Sequence, residues 1–439
     1  MFLIDKNDLL DTKTILKIIN QYQTNELPKM KKWANYYAGK HEILNKRYHD
    51  TTKPCNRIIT NFCATIADNY LGYMTGNSIN YETDSAEVID VLKYNDYQEQ
   101  DKELLRNALI YGYGAEIAWV DEDGKIRFTA LDSREVIPVY YNTIEKEKLA
   151  CVIRMYPADS INDNPDWIVE IYMADRTCTY KSTHSLESLE LLDEKPNYFN
   201  QVPVCIMPLN EAWESVYAGV IGLNDAYNQI LSGEIDDFDS FADAYLVMSG
   251  LDNVTKEEMQ EMREMKAIVL PDGGEVNYLT KNISDVQTEN ILANIKHNIY
   301  LVANCVDFSD EAFGTASGIA MKMKLLGMEN NAGVIEKHMT KALQKRIELI
   351  CSILSITGGE DIWREVNIVF TRNIPVDVTS EVQQLMTLRG LVSDRTLLSQ
   401  IPFVKDVEGE LAQIKAEKEA NLSMYSFGGV EYEDEETAE

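Results

Sequence analysis

No lysine, arginine or histidine occurs between Pro196 and Thr255, whereas Glu211, Glu214, Asp225, Glu234, Asp236, Asp237, Asp239, Asp243 and Asp252 all fall in that stretch. A surface built from it carries one sign of charge and offers nothing to hold a phosphate. The whole chain is short of bases, with 41 Lys and Arg against 72 Asp and Glu over 439 residues, a net charge of −31. Counterion release needs Lys and Arg, so adhesive nucleic-acid binding over the general surface is excluded, and any relation to DNA has to be non-adhesive. No apolar run reaches the ~18 residues of a membrane span. The seven cysteines are odd in number, scattered, and form no CxxC pair, which excludes a zinc ribbon and a disulfide framework. They are expected to be reduced and structural in a protein that matures in cytoplasm.

Catalytic signatures are missing as well. His41 opens HEILN, which lacks the second histidine of a zinc protease, and GYGAEI from Gly112 lacks the third glycine of a dinucleotide loop. Neither GxxxxGK[ST] nor GxSxG is present, and the five histidines form no close pair. Asp121, Asp123 and Gly124 start like a calcium loop, but no Glu follows at the required position, and a β-turn accounts for them. The best enzymatic candidate is the cluster Asp236, Asp237, Asp239 and Asp243, which could hold Mg²⁺ for phosphodiester cleavage. On one helix Asp237 falls off the face shared by the other three, so a solvated acidic face is the simpler reading.

What the chain does contain is helical periodicity at domain scale. Over residues 213–250 apolar side chains recur through Val216, Val220, Leu223, Tyr227, Ile230 or Leu231, Ile235, Phe238 and Tyr245, which predicts one long helix needing neighbours along its length. A second helix is predicted from the Ser284 cap through Val306, and between the two the run 267–279 reads as strand, Pro-Asp-Gly-Gly turn and strand. A third long helix is predicted over 317–354, with Ala332, Ile335, Met339, Leu343, Ile347, Ile350 and Leu354 on one face and a kink or break invited by Gly327 and Gly333.

Upstream, a helix is predicted over 11–23, another beginning near Asn56 and ending near Gly72, and one over 85–107. Residues 108–210 read as a mostly antiparallel β unit, which the late strand at 367–375 is expected to rejoin. Residues 28–57 are the one basic stretch, with eight Lys and Arg against Glu42 and Asp50. The interleaved Trp33, Tyr36 and Tyr37 suit base stacking, although a helix packing its aromatic side is the simpler reading, and an acidic neighbour is the attractive partner. The end of the chain, VEYEDEETAE, is expected to be disordered.

The order YYAGKHEIL, NRIITNF, GYMTGNSINY, YGYGAEIAWVDEDGKIRF, a long acidic helix, SGIAMKMKLLGMENNA, FTRNIP and LRGLVSDRTLL resembles the portal proteins of tailed bacteriophages, of the type found in siphophages of Gram-positive hosts. The resemblance covers about residues 30–415. It implies an α+β chain with a mixed wing, a two-helix stem, a small α/β clip and a helical crown. On this sequence the wing falls at 1–212 and 331–380, the stem helices at 213–244 and 283–306, the clip at 245–282, a tunnel-loop region at 307–330, the crown at 381–425 and an acidic tail at 426–439.

The implied function is that of a ring of about twelve subunits at one capsid vertex, through which double-stranded DNA is packaged and ejected. It is a structural role rather than an enzymatic one, with no cofactor or metal. Implied partners are the terminase large subunit, the major capsid and scaffold proteins, and head-completion or tail adaptor proteins, with no membrane. Glu234, Asp236, Asp237, Asp239, Asp243 and Lys296 are expected to line the channel, although pairing of Lys296 with acids of a neighbouring subunit is favoured. Asp307, Ser309, Asp310, Glu311 and Phe313 fall in the tunnel loop, and Glu257, Glu258, Glu261, Arg263 and Asp272 in the partner-facing clip.

Overall fold

A computed structural model describes residues 2–5, 11–48, 54–144, 148–159, 161, 165–241, 246–249, 255, 257, 260, 275–278, 285–309, 318–356, 362–373, 386–399 and 409–417. The chain divides into two units, Met1–Asn373 and Ile374–Glu439. The first unit opens with a short strand β1 (Phe2–Ile4), then the helices α1 (Thr12–Asn25), α2 (Leu27–Tyr37) and α3 (Phe62–Thr75), strand β2 (Asn80–Glu82), and helices α4 (Ala86–Tyr94) and α5 (Tyr97–Tyr111). Side-chain caps fix several starts: Asp11 accepts from the Thr14 amide at 2.8 Å, Asn61 from Ala64 at 3.1 Å and Ser85 from Val88 at 3.3 Å.

The helix expected over 85–107 is two helices. Asn95 is buried and turns its amide into the neighbouring sheet, donating to the Ile126 carbonyl at 2.9 Å and accepting from the Phe128 amide at 3.1 Å. Asp96 then takes a left-handed conformation with φ of 49° before α5 starts. α5 ends at Gly112, φ 85°, where an added Cβ would lie 2.2 Å from the Trp213 carbonyl oxygen. Close backbone packing therefore accounts for the YGYG joint.

Eight strands follow: β3 (Tyr113–Val120), β4 (Ile126–Leu131), β5 (Val136–Tyr141), β6 (Leu149–Pro157), β7 (Trp167–Tyr172), β8 (Arg176–Ser182), β9 (Glu190–Pro196) and β10 (Val204–Pro208). They form two sheets, ordered β1-β5-β6-β7-β8-β9 and β10-β3-β4, antiparallel except where β1 joins β5. The expected β unit over 108–210 is thus present, with β1 added from the start of the chain.

Next come helix α6 (Ile221–Phe241), strands β11 (Leu246–Ser249) and β12 (Glu275–Tyr278), helices α7 (Asp285–Val302) and α8 (Gly318–Ile356), and strand β13 (Asn367–Val369). Four expectations change here. α6 starts at Ile221 rather than 213, because Trp213 adopts a φ of 58° and Ala218–Val220 form a 3-10 turn. β12 pairs antiparallel with β11, Leu246 opposite Tyr278, so the strand after the Pro-Asp-Gly-Gly turn is partnered by the segment that follows α6. β13 joins β2, Ile368 opposite Tyr81, in a separate two-stranded sheet and not the main β unit. α8 runs as one helix through Gly327 and Gly333.

The predicted apolar face of α8 is buried from Ala332 to Ile350. Within it lies Arg346, wholly buried, whose guanidinium meets Glu116 of β3 at 2.6 Å and 2.7 Å, pairs with Asp101 of α5, and bonds the Tyr81 hydroxyl at 3.1 Å. Its carbon lies 4.5 Å over the centre of the Phe128 ring. The cluster ties α8, α5, β3 and β2 together. In the second unit the described residues include helix α9 (Asp394–Ser399), preceded by a bridge between Arg389 and Val392.

Candidate functional site, an acidic helix held by a strap

The acid-rich helix α6 buries polar side chains rather than apolar ones. Asn224, Asn228 and Ser232 have no exposed surface and Asp236 has 6%, and these four residues repeat every fourth position along one stripe. Leu223, Tyr227, Ile230 and Ile235 are only half-buried, and Phe238 is 75% exposed.

The stripe is matched by an extended strap at 54–61 lying along the helix. The Asn224 amide donates to the Thr60 carbonyl at 2.8 Å, Asn228 Oδ1 accepts from the Thr60 amide at 2.8 Å, and Ser232 Oγ accepts from the Ile58 amide at 2.9 Å. Asp236 Oδ1 accepts from the Asn56 amide at 2.5 Å and from its side chain at 2.9 Å. The match is geometric: four helical residues rise ~6.0 Å, and two extended residues advance ~6.6 Å. Polar groups at every fourth helix position therefore reach alternate strap residues.

The end of the strap is charged. Lys46 Nζ lies 2.5 Å from Asp236 Oδ2, with the Tyr48 hydroxyl at 3.1 Å from the same oxygen. Desolvation, the largest effect, raises the Asp236 carboxyl. The bonds from Lys46, Asn56 and Tyr48 together outweigh it and hold the group below the usual carboxylate range. Nearer the start of α6, Tyr36 donates to Asp225 at 2.8 Å and His41 Nδ1 meets the Asn228 amide at 3.0 Å.

This arrangement divides the acids expected to line a channel. Asp236 faces the strap within its own chain, since its oxygens are the acceptors that anchor Lys46, Tyr48 and Asn56. Asp239 is exposed, and Asn56 donates to it at 2.8 Å. Glu234 and Asp237 are half-buried. Asp243 lies outside the described residues. Lys296 of α7 pairs within the chain, 2.7 Å from Asp307 and 3.1 Å from Ser309 Oγ. The pair forms because Asp307 follows directly on the turn that ends α7 and lies in reach of Lys296. Asp307 also accepts from the Ser309 amide at 3.0 Å.

Asp310, Glu311, Phe313, Glu258, Glu261, Arg263 and Asp272 lie outside the described residues, and Glu257 is exposed. Trp33 and Tyr36 are buried, at 8% and 3%, so these rings offer no stacking surface to bases. Among the described residues no group of three or more His, Cys, Asp or Glu is placed to hold a metal, and the donors on Asp236 occupy the oxygens that a metal would need. No described helix is long and apolar enough to cross a membrane.

Sequence reasoning missed the stripe and the buried triad. The spacing Asn224-Asn228-Ser232-Asp236 was visible, but a helix is ordinarily read for its apolar face. Glu116 inside the apolar strand AEIAWV, with Arg346 inside an apolar helix face, was the signal for the triad.

The profile of the family described as "Phage portal protein, SPP1 Gp6-like" matches residues 16–423, and the chain belongs to that family. The portal protein of Bacillus phage SPP1 is 24% identical over 445 residues, covering 94% of this chain and 88% of that protein. The portal protein of Clostridium phage phiCD119 is 23% identical over 426 residues, covering 89% and 93%. Among solved structures, the chain is similar to one in the neck of a native gene transfer agent particle, computed with C12 symmetry, at TM-score 0.47 and 10% identity, covering 77% of this chain and 89% of that one. A chain in the virion of a native gene transfer agent particle gives TM-score 0.45 and 13% identity, covering 76% and 86%.

Proposed function

We propose that this portal protein assembles as a closed ring of about twelve copies, forming a conduit through which double-stranded DNA enters and leaves a capsid. The observation that carries the reading is that α6 and α7, packed on each other, still leave Phe238, Val286, Ile291, Leu301 and Val302 exposed at 48–75%. A helix pair with apolar groups on its outer surface is incomplete as a monomer and is completed by identical neighbours. Membership of the portal family over residues 16–423 agrees with that assembly.

In this reading α6 and α7 are the stem, residues 245–282 the clip and residues 381–425 the crown. The wing comprises residues 1–212 and 331–380. The region 307–330 supplies a tunnel loop, its later part being the first turns of α8. Glu234, Asp237, Asp239 and Asp243 are the acids assigned to the channel, with Asp236 reassigned to the strap. At physiological salt the Debye length is ~8 Å, so carboxylates beyond that distance repel a duplex weakly and evenly, and DNA slides without being trapped. The ring docks terminase large subunit during packaging and head-completion or tail adaptors afterwards, with capsid and scaffold proteins around the wing. Energy for DNA movement comes from the motor, not from this chain.

Light scattering of the purified protein, with negative-stain images of the same fraction, tests the assembly. The expected result is a particle of about twelve chain masses seen as a ring with a central hole. A monomer at all concentrations, also in the presence of scaffold protein, overturns the reading. Metal-dependent cleavage of DNA by the pure protein would favour the phosphodiesterase alternative.

A further inference from the structure

Two surfaces of this chain are complementary, and nothing joins them within one copy among the described residues. The first is basic. α1 and α2 together hold Lys13, Lys17, Lys29, Lys31 and Lys32, against two acids, Asp11 at the cap of α1 and Glu26 between the helices. Their apolar sides are consumed inside the chain, Ile15, Ile19, Tyr22, Met30 and Trp33 being buried, which leaves the lysines outward. On the outer side of α1 lies a shallow groove of about 530 Å³ lined by Lys13, Leu16, Lys17, Asn20 and Gln21. Lys13 and Lys17 are exposed on either side of the half-buried Leu16.

The second surface is acidic and apolar. β9 is the last strand of its sheet, paired with β8 on one side, and every one of its residues is exposed. Leu191 and Leu192 are 50% and 54% exposed, flanked by Glu187, Glu190, Asp193 and Glu194. An edge strand with unpaired backbone and bare leucines is a surface that proteins ordinarily cover. α1 packs near the other side of the sheet, with Gln23 against Met155 of β6 and Tyr22 bonded to the Arg134 carbonyl. At ~4.8 Å per strand, β9 lies roughly 14 Å across the sheet from β6.

We infer that the β9 edge of one copy docks onto the α1 groove of the next, with Leu191 and Leu192 against Leu16 and the acids of 187–194 against Lys13 and Lys17. The two patches differ, so the contact is head-to-tail, the type that closes a ring. It adds a charged outer contact to the apolar helix contacts proposed above, and it rests on the ring reading. The surface pairs that now hold part of the arm, Arg176 with Glu194 at 3.1 Å and Lys195 with Asp193 at 3.2 Å, are exposed and exchange at little cost.

The test uses two variants of the full chain. One carries Glu187→Lys and Glu190→Lys, the other Lys13→Glu and Lys17→Glu, and light scattering reads their assembly at about 0.15 M salt. Each alone is expected to lose at least half of its ring fraction, because every contact then sets like charges together. An equimolar mixture is expected to recover rings, since each altered arm then meets an altered groove and each native arm a native groove. Variants that assemble like the parent overturn the contact and leave the ring reading standing. Variants that fail both alone and mixed also overturn it, because misfolding then explains the loss. A parent chain that never assembles removes the ring reading and this contact together.

Discussion

Two cation–carboxylate clusters among the described residues, one around the wholly buried Arg346 and one around Asp236 with the half-buried Lys46, have opposite proton chemistry. In one, Arg346 faces both Asp101 and Glu116, and burial, the largest effect, pushes both carboxyls above their ordinary range despite the pull of the guanidinium. In the other, Lys46 and the strap donors on Asp236 prevail over burial and hold that carboxyl low. The difference is stoichiometric. One cation serves two acids in the core of the β unit, whereas at the strap one acid receives a lysine, a tyrosine and two amide donors. The first cluster is a fixed joint between α8 and the sheets; the second is a fastening on a helix that leaves Phe238 exposed.

Removing Arg346 breaks the comparison most severely. Arg346→Met leaves two carboxylates facing each other in the core, and truncating one partner of a buried pair costs about 3–5 kcal/mol. Chemical denaturation should show that loss at neutral pH. The sign with pH follows from the raised carboxyls. A folded-state pKa above the unfolded one means that the folded state holds its proton more tightly, so stability rises as pH falls through the folded pKa. The variant should therefore regain stability as pH falls from neutrality toward the ordinary carboxylate range, measured as an increase in the denaturation midpoint. A midpoint that stays level or drops over that interval would show that the carboxyls do not carry the cost.

The strap responds in the opposite sense. Asp236 is held below its unfolded value, so its contribution is present above the unfolded pKa and is lost as pH falls through the folded one. Acid should release residues 54–60 before the β unit opens, visible as early amide exchange at Ile58 and Thr60. Asp236→Asn keeps the shape but takes the counter-charge from Lys46, at about 1–3 kcal/mol. Equal exchange rates for strap and β unit at every pH would show that no separate fastening exists.

The two clusters also differ in how much of them the sequence disclosed. Helices, strands and the long acidic segment were legible because apolar spacing reports the face that meets a core. It fails on α6, where the core-facing partner is a backbone segment that needs hydrogen bonds, so Asn224, Asn228 and Ser232 are buried and Phe238 is not. The break at Asp96 was hidden for a similar reason, since Asn95 leaves the helix to bond a strand 31 residues away. The pairing of Lys46 with Asp236 spans 190 positions, and no local pattern encodes it.

The acids of α6 sharpen the comparison further. Asp236→Lys places a second cation beside Lys46 and should release the strap and impair assembly. Asp237→Lys, one position on and half-buried, should assemble and instead slow DNA packaging, since a lysine on the proposed channel wall would bind phosphate. Assembly yield and DNA packaged per particle, measured for both, separate the two roles. Equal assembly defects would remove the distinction between a strap acid and a channel acid.

The smallest effect is expected at Lys296. Its pair with Asp307 is partly open to solvent, with side-chain exposures of 37% and 23%, so Lys296→Ala should cost at most about 1 kcal/mol. Desolvation raises the Asp307 carboxyl, and the bonds from Lys296 and Ser309 outweigh it and hold it low. The Ser309 bonds survive the substitution, and only the tether to α7 is lost. Amide exchange at Ser309 should quicken while α7 and the strap keep their rates. Faster exchange along α7 as well would make the pair part of the helix rather than a fastening for the segment that follows it.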